Sequence, residues 1–175
     1  MSTRSQIAKM LPDGKVNSIY CHSDGYPSHN GELLLNHYNS EEKVDALLAL
    51  GDLSFLDVNI NPMAEAPARR NWEVDKDPNS EGGIKIRERN AVLTTHTFAD
   101  PQEGVTIAYH RDRGEDFHVG EYNSLEDFLK AEHWAVYLYL WKDNKWHVSY
   151  YYKEKERFFE LTPEIIKSGL PTEQE

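Results

Sequence analysis

Cysteine is nearly absent from this chain: Cys21 is the only one in 175 residues. An internal disulfide and the multi-cysteine zinc sites are therefore excluded. Long apolar runs are missing as well, since nothing approaches the roughly 20 residues needed to cross a bilayer. The opening MSTRSQIAKML lacks the apolar region of a signal peptide, so the cytoplasm is the expected compartment. Basic residues are scarce, 19 against 30 acidic ones, for a net charge of −11. A balance of that sign repels phosphate backbones and anionic lipid surfaces, which argues against general nucleic-acid binding and membrane association. It leaves a basic protein surface as the natural long-range partner, or a face that is merely solubilising. No internal repeat and no low-complexity tract is present.

Aromatic residues are plentiful at 11%, within a hydrophobic fraction of 39%. They supply large pieces of buried area for a core. The length suits one domain over residues 1–175. Asn61 to Gly83, with its prolines and glycines and no sustained periodicity, reads as a long flexible excursion from that domain.

The segment KVNSIYCH, Lys15 to His22, alternates as a strand with Ile19 and Cys21 on one face and Tyr20 and His22 on the other. Asp24-Gly25 and Tyr26-Pro27 break it. A short helix follows in NGELLLNHYN, with Ser28 or Asn30 as its cap and Glu32 in its first turn. The next helix has Asn39 and Glu42 spaced as a capping box, Val44, Leu47 and Leu48 at helical spacing, and Gly51 as its stop. Further strands are expected at Ile84–Glu88, Val92–Phe98, Val105–His110 and Phe117–Tyr122, and a helix after Ser124. WAVYLYLW and WHVSYYY flank Asp143-Asn144, a two-residue turn that sets Trp141 opposite Trp146 and Tyr139 opposite Val148. That register puts Tyr137, Tyr139, Trp141, Trp146, Val148 and Tyr150 on one face. Trp134, Val136, Leu138, Leu140, Ser149 and Tyr151 take the other, so the hairpin is expected to sit centrally. The fold expected is α+β: one domain, a mostly antiparallel sheet, and two or three helices packed on it.

Two clusters carry candidate chemistry. In YCHSDGYPSHNG, a strand end with His22, a turn with Asp24 and Tyr26, and a helix start resemble a polar or anion pocket. The plainer account is that Asp24-Gly25 makes the turn, Pro27 stiffens it and His22 is hydrogen-bonded at a strand edge. In AYHRDRGE, Arg111 and Arg113 could clamp a carboxylate or phosphate with Asp112 or Glu115 orienting them. There the plainer account is a hairpin turn with surface ion pairs. Cys21 and Ser5 lack a nucleophile signature, and adjacent Cys21 and His22 point to opposite faces. The eight histidines include no HExxH spacing, and no metal or cofactor is expected.

The pieces TRSQIA, IYCHSDGYPSHNGELLLNHY, KVDALLALGDLSFL and PQEGVTIAYHRDRGE, in that order and with the hairpin YLYLWKDNKWHV, resemble a family of small proteins encoded by tailed phages and prophages. The resemblance implies shared positions at Thr3, Arg4, Ser5, His22, Asp24, Gly25, Tyr26, Gly31, Gly51, Asp52, Arg111, Asp112, Arg113, Gly114 and Glu115. Two positions depart from it, because such proteins typically have tryptophan where Ser23 stands and glycine where His110 stands. The setting it implies is the cytoplasm of a host bacterium. The function expected there is that of a non-enzymatic accessory protein binding and modulating or inhibiting a host or antiviral-defence protein. The other reading is a small-molecule site binding or hydrolysing a nucleotide-like or other anionic ligand, in which Arg4, His22, Asp24, Arg111 and Arg113 converge. Across both readings the candidate binding residues are Arg4, His22, Asp24, Tyr26, Arg111, Asp112, Arg113 and Glu115.

Overall fold

The computed structural model describes residues 3–69, 72–76, 79, 84–88, 90–132, 134–150 and 158–170. The chain runs β1 (Ser5–Met10), β2 (Val16–Cys21), a wide helical turn (Pro27–Gly31), α1 (Glu32–His37), α2 (Glu41–Leu48) and β3 (Leu53–Phe55). It continues with β4 (Ala66–Pro67), β5 (Trp72–Lys76), β6 (Ile84–Glu88), β7 (Val92–Leu93), β8 (Ile107–Ala108) and α3 (Tyr109–Arg113). Last come β9 (Gly120–Tyr122), α4 (Leu125–Ala131), β10 (Tyr137–Lys142), β11 (Lys145–Tyr150), β12 (Phe159–Glu160) and α5 (Pro163–Ser168). The architecture is α+β. One mixed sheet has the order β12-β11-β10-β1-β2-β3-β8 with β9 added on β2, and β4/β7 and β5/β6 form two separate two-stranded sheets. Among the described residues no helix is long and apolar enough to cross a membrane.

The aromatic hairpin forms in the register its alternation predicts, Trp141 facing Trp146 and Tyr139 facing Val148. Asp143 and Asn144 take φ 55° and 58°, the left-handed pair that a tight hairpin turn requires and that Asp and Asn tolerate. Tyr137, Tyr139, Trp141, Trp146 and Val148 lie in one core with Leu34 of α1, Val44 and Leu47 of α2, and Ile165 and Ile166 of α5 beside them. Leu138 and Leu140 face the other way, into a second core closed by Phe128 and Leu129 of α4. Both faces of the sheet are thus covered, as two apolar faces demand. Tyr151 lies outside the described residues.

Lys15–His22 joins this sheet through a strand that alternation does not reveal. β1 pairs antiparallel with β2 and parallel with β10. It carries Ser5, Gln6 and Lys9 in buried positions, each with a partner. Asn30 Nδ2 donates to Ser5 Oγ at 3.2 Å, Ser18 Oγ to Gln6 Oε1 at 2.6 Å, and Lys9 Nζ to Asp45 Oδ1 at 2.7 Å.

Several element limits differ from the sequence-based expectation. α2 is capped by Ser40, whose Oγ accepts from Lys43 N–H at 3.3 Å, one residue beyond the Asn39 box. α1 has no side-chain cap, because Asn30 is buried against Ser5 and Cys21. The stretch expected as a strand over Val92–Phe98 is a strand only at Val92–Leu93. The expected strand at Val105–His110 is a strand only at Ile107–Ala108, with Val105 in an isolated bridge to Asn59, before the chain turns helical at Tyr109. Phe117–Tyr122 pairs only from Gly120. Within 61–83 the described residues include two strands, β4 and β5, where an irregular excursion is expected. The rest of that stretch's expected flexibility falls partly on 70–71, 77–78 and 80–83, outside the described residues.

Candidate functional site

β2 and β3 run parallel, joined through α1 and α2, and their pairing continues past Cys21: His22 N–H donates to Leu53 O at 3.0 Å and Ser23 N–H to Ser54 O at 3.1 Å. The chain then turns at Asp24, with φ 53°. Gly25 N–H donates to Thr3 O at 2.8 Å, and its carbonyl accepts the buried Tyr139 hydroxyl at 2.6 Å. A Cβ at Gly25 would fall 2.7 Å from Thr3 O and 2.8 Å from Ser5 Cβ, so this close approach needs glycine. The turn is in this way pinned to the start of β1 and to the core.

The structure places the candidate residues in three groups. His22 lies against Tyr20, its Nδ1 2.5 Å from the phenol oxygen. The Tyr20 ring also packs on Trp134, with centroids 5.4 Å apart. Burial pushes the Tyr20 phenol above its ordinary pKa, and the positive charge of Arg4 works in the opposite direction. Tyr20 thus touches His22, with which it shares a strand face, and feels the charge of Arg4. Asp24 and Tyr26 form a second group, the Tyr26 hydroxyl donating to Asp24 Oδ1 at 3.3 Å.

The third group is α3, where AYHRDRGE winds into a helical turn instead of extending. The Asp112 carboxylate reaches back to accept Ala108 N–H at 2.8 Å, and Gly114 closes the turn with φ 78°. Arg111 points inward: Nε donates to Asp112 Oδ1 at 2.8 Å, Nη1 to Ile60 O at 2.5 Å and Nη2 to Thr106 O at 2.7 Å. Asp112, its side chain 1% exposed, also lies 3.3 Å from His96 Nε2. His96 Nδ1 accepts from Gln102 N–H at 2.9 Å, which leaves Nε2 to carry the ring proton toward Asp112 and Thr106 O. Arg111, Asp112 and His96 therefore form a polar staple that holds the 57–60 loop to β8. Arg113 takes the opposite side, its guanidinium 4.6 Å from the Phe98 ring centroid and its Nε 4.0 Å from Glu115. The two arginines do not form one clamp.

Two clefts lie near α3. The first, about 180 Å³, is lined by Tyr20, Asp52, Tyr109, His110, Glu115 and Asp116. Asp52 holds it together, Oδ1 accepting Tyr20 N–H at 2.9 Å and Oδ2 lying 3.0 Å from His118 Nδ1. Burial pushes the Tyr109 phenol upward, opposed by its hydrogen bond with Ser54 and reinforced by the Glu115 charge. Both phenols remain neutral rings beneath three carboxylates. Exposed aromatics extend the wall, Phe117 edge-on to His110 at 5.6 Å and Trp134 on Tyr20. The second cleft is lined by Phe98, on which Tyr109 packs at 5.6 Å, together with Ser23, Ser54, Phe55 and Arg69.

Of these residues, sequence reasoning passed over Tyr20, Tyr109, Asp116, Phe117, Arg69 and Phe98 as site components. The alternation that pairs Tyr20 with His22 was a usable signal for the first. Arg69 had none, because its neighbours in PARRN carry no spacing tied to β3. Among the described residues no group of three His, Cys, Asp or Glu side chains is arranged to hold a metal ion. No family model matches this chain, and neither does any curated protein or solved structure.

Proposed function

We propose that this chain is an acidic accessory protein of the phage type, acting without catalysis by docking on a host or antiviral-defence protein and modulating or inhibiting it. The observation that carries this reading is the cleft between Tyr20 and Tyr109 with Asp52, Glu115 and Asp116 around it. Two neutral aromatic faces beneath carboxylates suit a lysine or arginine side chain, which gains a cation–π contact of about 0.5–2 kcal/mol depending on desolvation. Phe117 and Trp134, 52% and 43% exposed, give the same region apolar anchors of the kind that dominate interfaces. The net charge of −11 adds long-range steering toward a basic partner.

The test is affinity capture from bacterial cells with the wild-type chain and with the double variant Glu115→Lys, Asp116→Lys, both changes on exposed residues. A specific protein should be retained by the wild type, released as salt rises, and lost with the double variant, while thermal melts of the two chains coincide. Retention that ignores the charge reversal, or no retained protein at all, would remove the basis for this reading.

A further inference from the structure

Where strands run parallel and are joined through helices, the crevice outside their carboxyl ends is the usual seat of ligands. β2 ends at Cys21 with its pairing carried on to Ser23, β3 ends at Phe55, and at those ends lies the second cleft, about 290 Å³, near the lower end of small-molecule sites. Ser23, Ser54, Phe55, Arg69 and Phe98 form its chemically active lining, and no carboxylate lines it among the described residues. In a chain with 30 acidic residues that is an unusual wall.

Arginine lies on aromatic rings at two places in this wall. Arg69 is centred 4.4 Å over the Phe55 ring, and Arg113 covers Phe98. Phe55 also meets His29 at a tilt, 4.9 Å away, and His29 meets Tyr26 edge-on. Arg69 Nη2 donates to Asp57 Oδ2 at 2.6 Å and Val105 O at 2.8 Å, which fixes the guanidinium from behind. Its Nε is buried and meets no acceptor among the described residues. An unsatisfied buried donor on a guanidinium is costly, and an incoming acceptor relieves that cost.

We infer that this cleft binds a small anion carried on a flat ring, of the nucleoside monophosphate class. The ring extends the guanidinium–aromatic stack of Arg69 and Phe55 against Phe98, and the anionic group takes the remaining Arg69 donors. The Ser23 hydroxyl supplies a hydrogen bond at the strand ends. No covalent step is involved. This site shares no lining residue with the partner-binding cleft.

Calorimetric titration of the full chain with adenosine 5′-monophosphate, adenosine and inorganic phosphate tests it. The monophosphate should bind with Kd below about 1 mM, and adenosine and phosphate should each bind about tenfold weaker or worse. Ser23→Trp fills the cleft and leaves the Arg69–Asp57 pair in place, while Arg69→Lys keeps the charge and loses the planar fork. Each should weaken monophosphate binding at least about tenfold. If Arg69→Lys fails to fold by thermal melt, Ser23→Trp decides. The inference is overturned by the absence of monophosphate binding at about 1 mM, by equal binding to wild type and folded Ser23→Trp, or by adenosine binding as tightly as the monophosphate.

Discussion

Replacing Asp112 by alanine should cost this fold more than any surface charge change, and the structure sets the magnitude. One carboxylate, 1% exposed, accepts Arg111 Nε at 2.8 Å, Arg111 Nη2 at 3.0 Å and Ala108 N–H at 2.8 Å. His96 Nε2 and Arg111 Nη2 retain Thr106 O after its removal, at 3.1 and 2.7 Å. Ala108 N–H and Arg111 Nε retain no acceptor shown in the native arrangement. Breaking a buried ion pair by removing one partner costs about 3–5 kcal/mol, and an orphaned buried N–H about 1–3 kcal/mol. The two overlap, and the Arg111 side chain is 26% exposed, so water recovers part of the first. A total of about 3–4 kcal/mol is expected.

Asp112→Asn keeps an acceptor of the same size but turns an amide toward existing donors, so about 1–3 kcal/mol is expected. Equilibrium urea unfolding reads these losses from the midpoint at constant slope. For a chain of this size each kcal/mol shifts Tm by about 2–4 °C, so alanine should lower it by about 6–16 °C. The double change with Arg111→Met should cost less than the sum of the two single changes, because it removes the unpaired cation together with its partner. An alanine variant within about 1 kcal/mol of wild type at unchanged slope would refute the buried staple.

Gly25→Ala puts a Cβ 2.7 Å from Thr3 O and 2.8 Å from Ser5 Cβ. It should destabilise by about 1–3 kcal/mol through displacement of the start of β1, and a melt unchanged from wild type would show that the contact relaxes freely. Cys21 is fully buried, and burial pushes its thiol up to about 11, with hydrogen bonds donated by Asn30 and by the Ser23 backbone only partly opposing. At pH 8 a thiol reagent should therefore label it only as fast as the protein opens, and rapid labelling of folded protein would contradict that burial.

The hairpin was legible because every signal for it is local. Alternation over six residues sorts the faces, and Asp143-Asn144 supplies the left-handed turn, so register follows without knowledge of the rest of the fold. β1 was not legible for the opposite reason. SQIAKM interleaves polar and apolar residues, and its polar side chains are buried only because their partners come from 12 to 36 positions away: Ser18 for Gln6, Asn30 for Ser5, Asp45 for Lys9. A period-2 pattern has no place for a lysine in a central strand. The structure accommodates Lys9 by running its stem along the sheet to the carboxylates of Glu41 and Asp45 on α2.

The arginine cluster shows the same limit at the site. A clamp of Arg111 and Arg113 needs an extended backbone, where residues two apart share a face. In a helix the same spacing places them about 200° apart. The choice between those conformations rests on Asp112, whose carboxylate satisfies Ala108 N–H and so starts the turn, and on Gly114, which ends it. Once α3 forms, Arg111 is spent on Ile60, Thr106 and Asp112, and Arg113 is left over Phe98 beside the second cleft. The cation that lines this cleft is Arg69, brought there by its pairing with Asp57 and its stacking on Phe55. A motif on one segment can nominate charged residues, but the conformation of that segment decides which of them face inward. The partner for the cleft then comes from a segment forty residues upstream of the motif in the sequence, about where the β4 loop returns to β3.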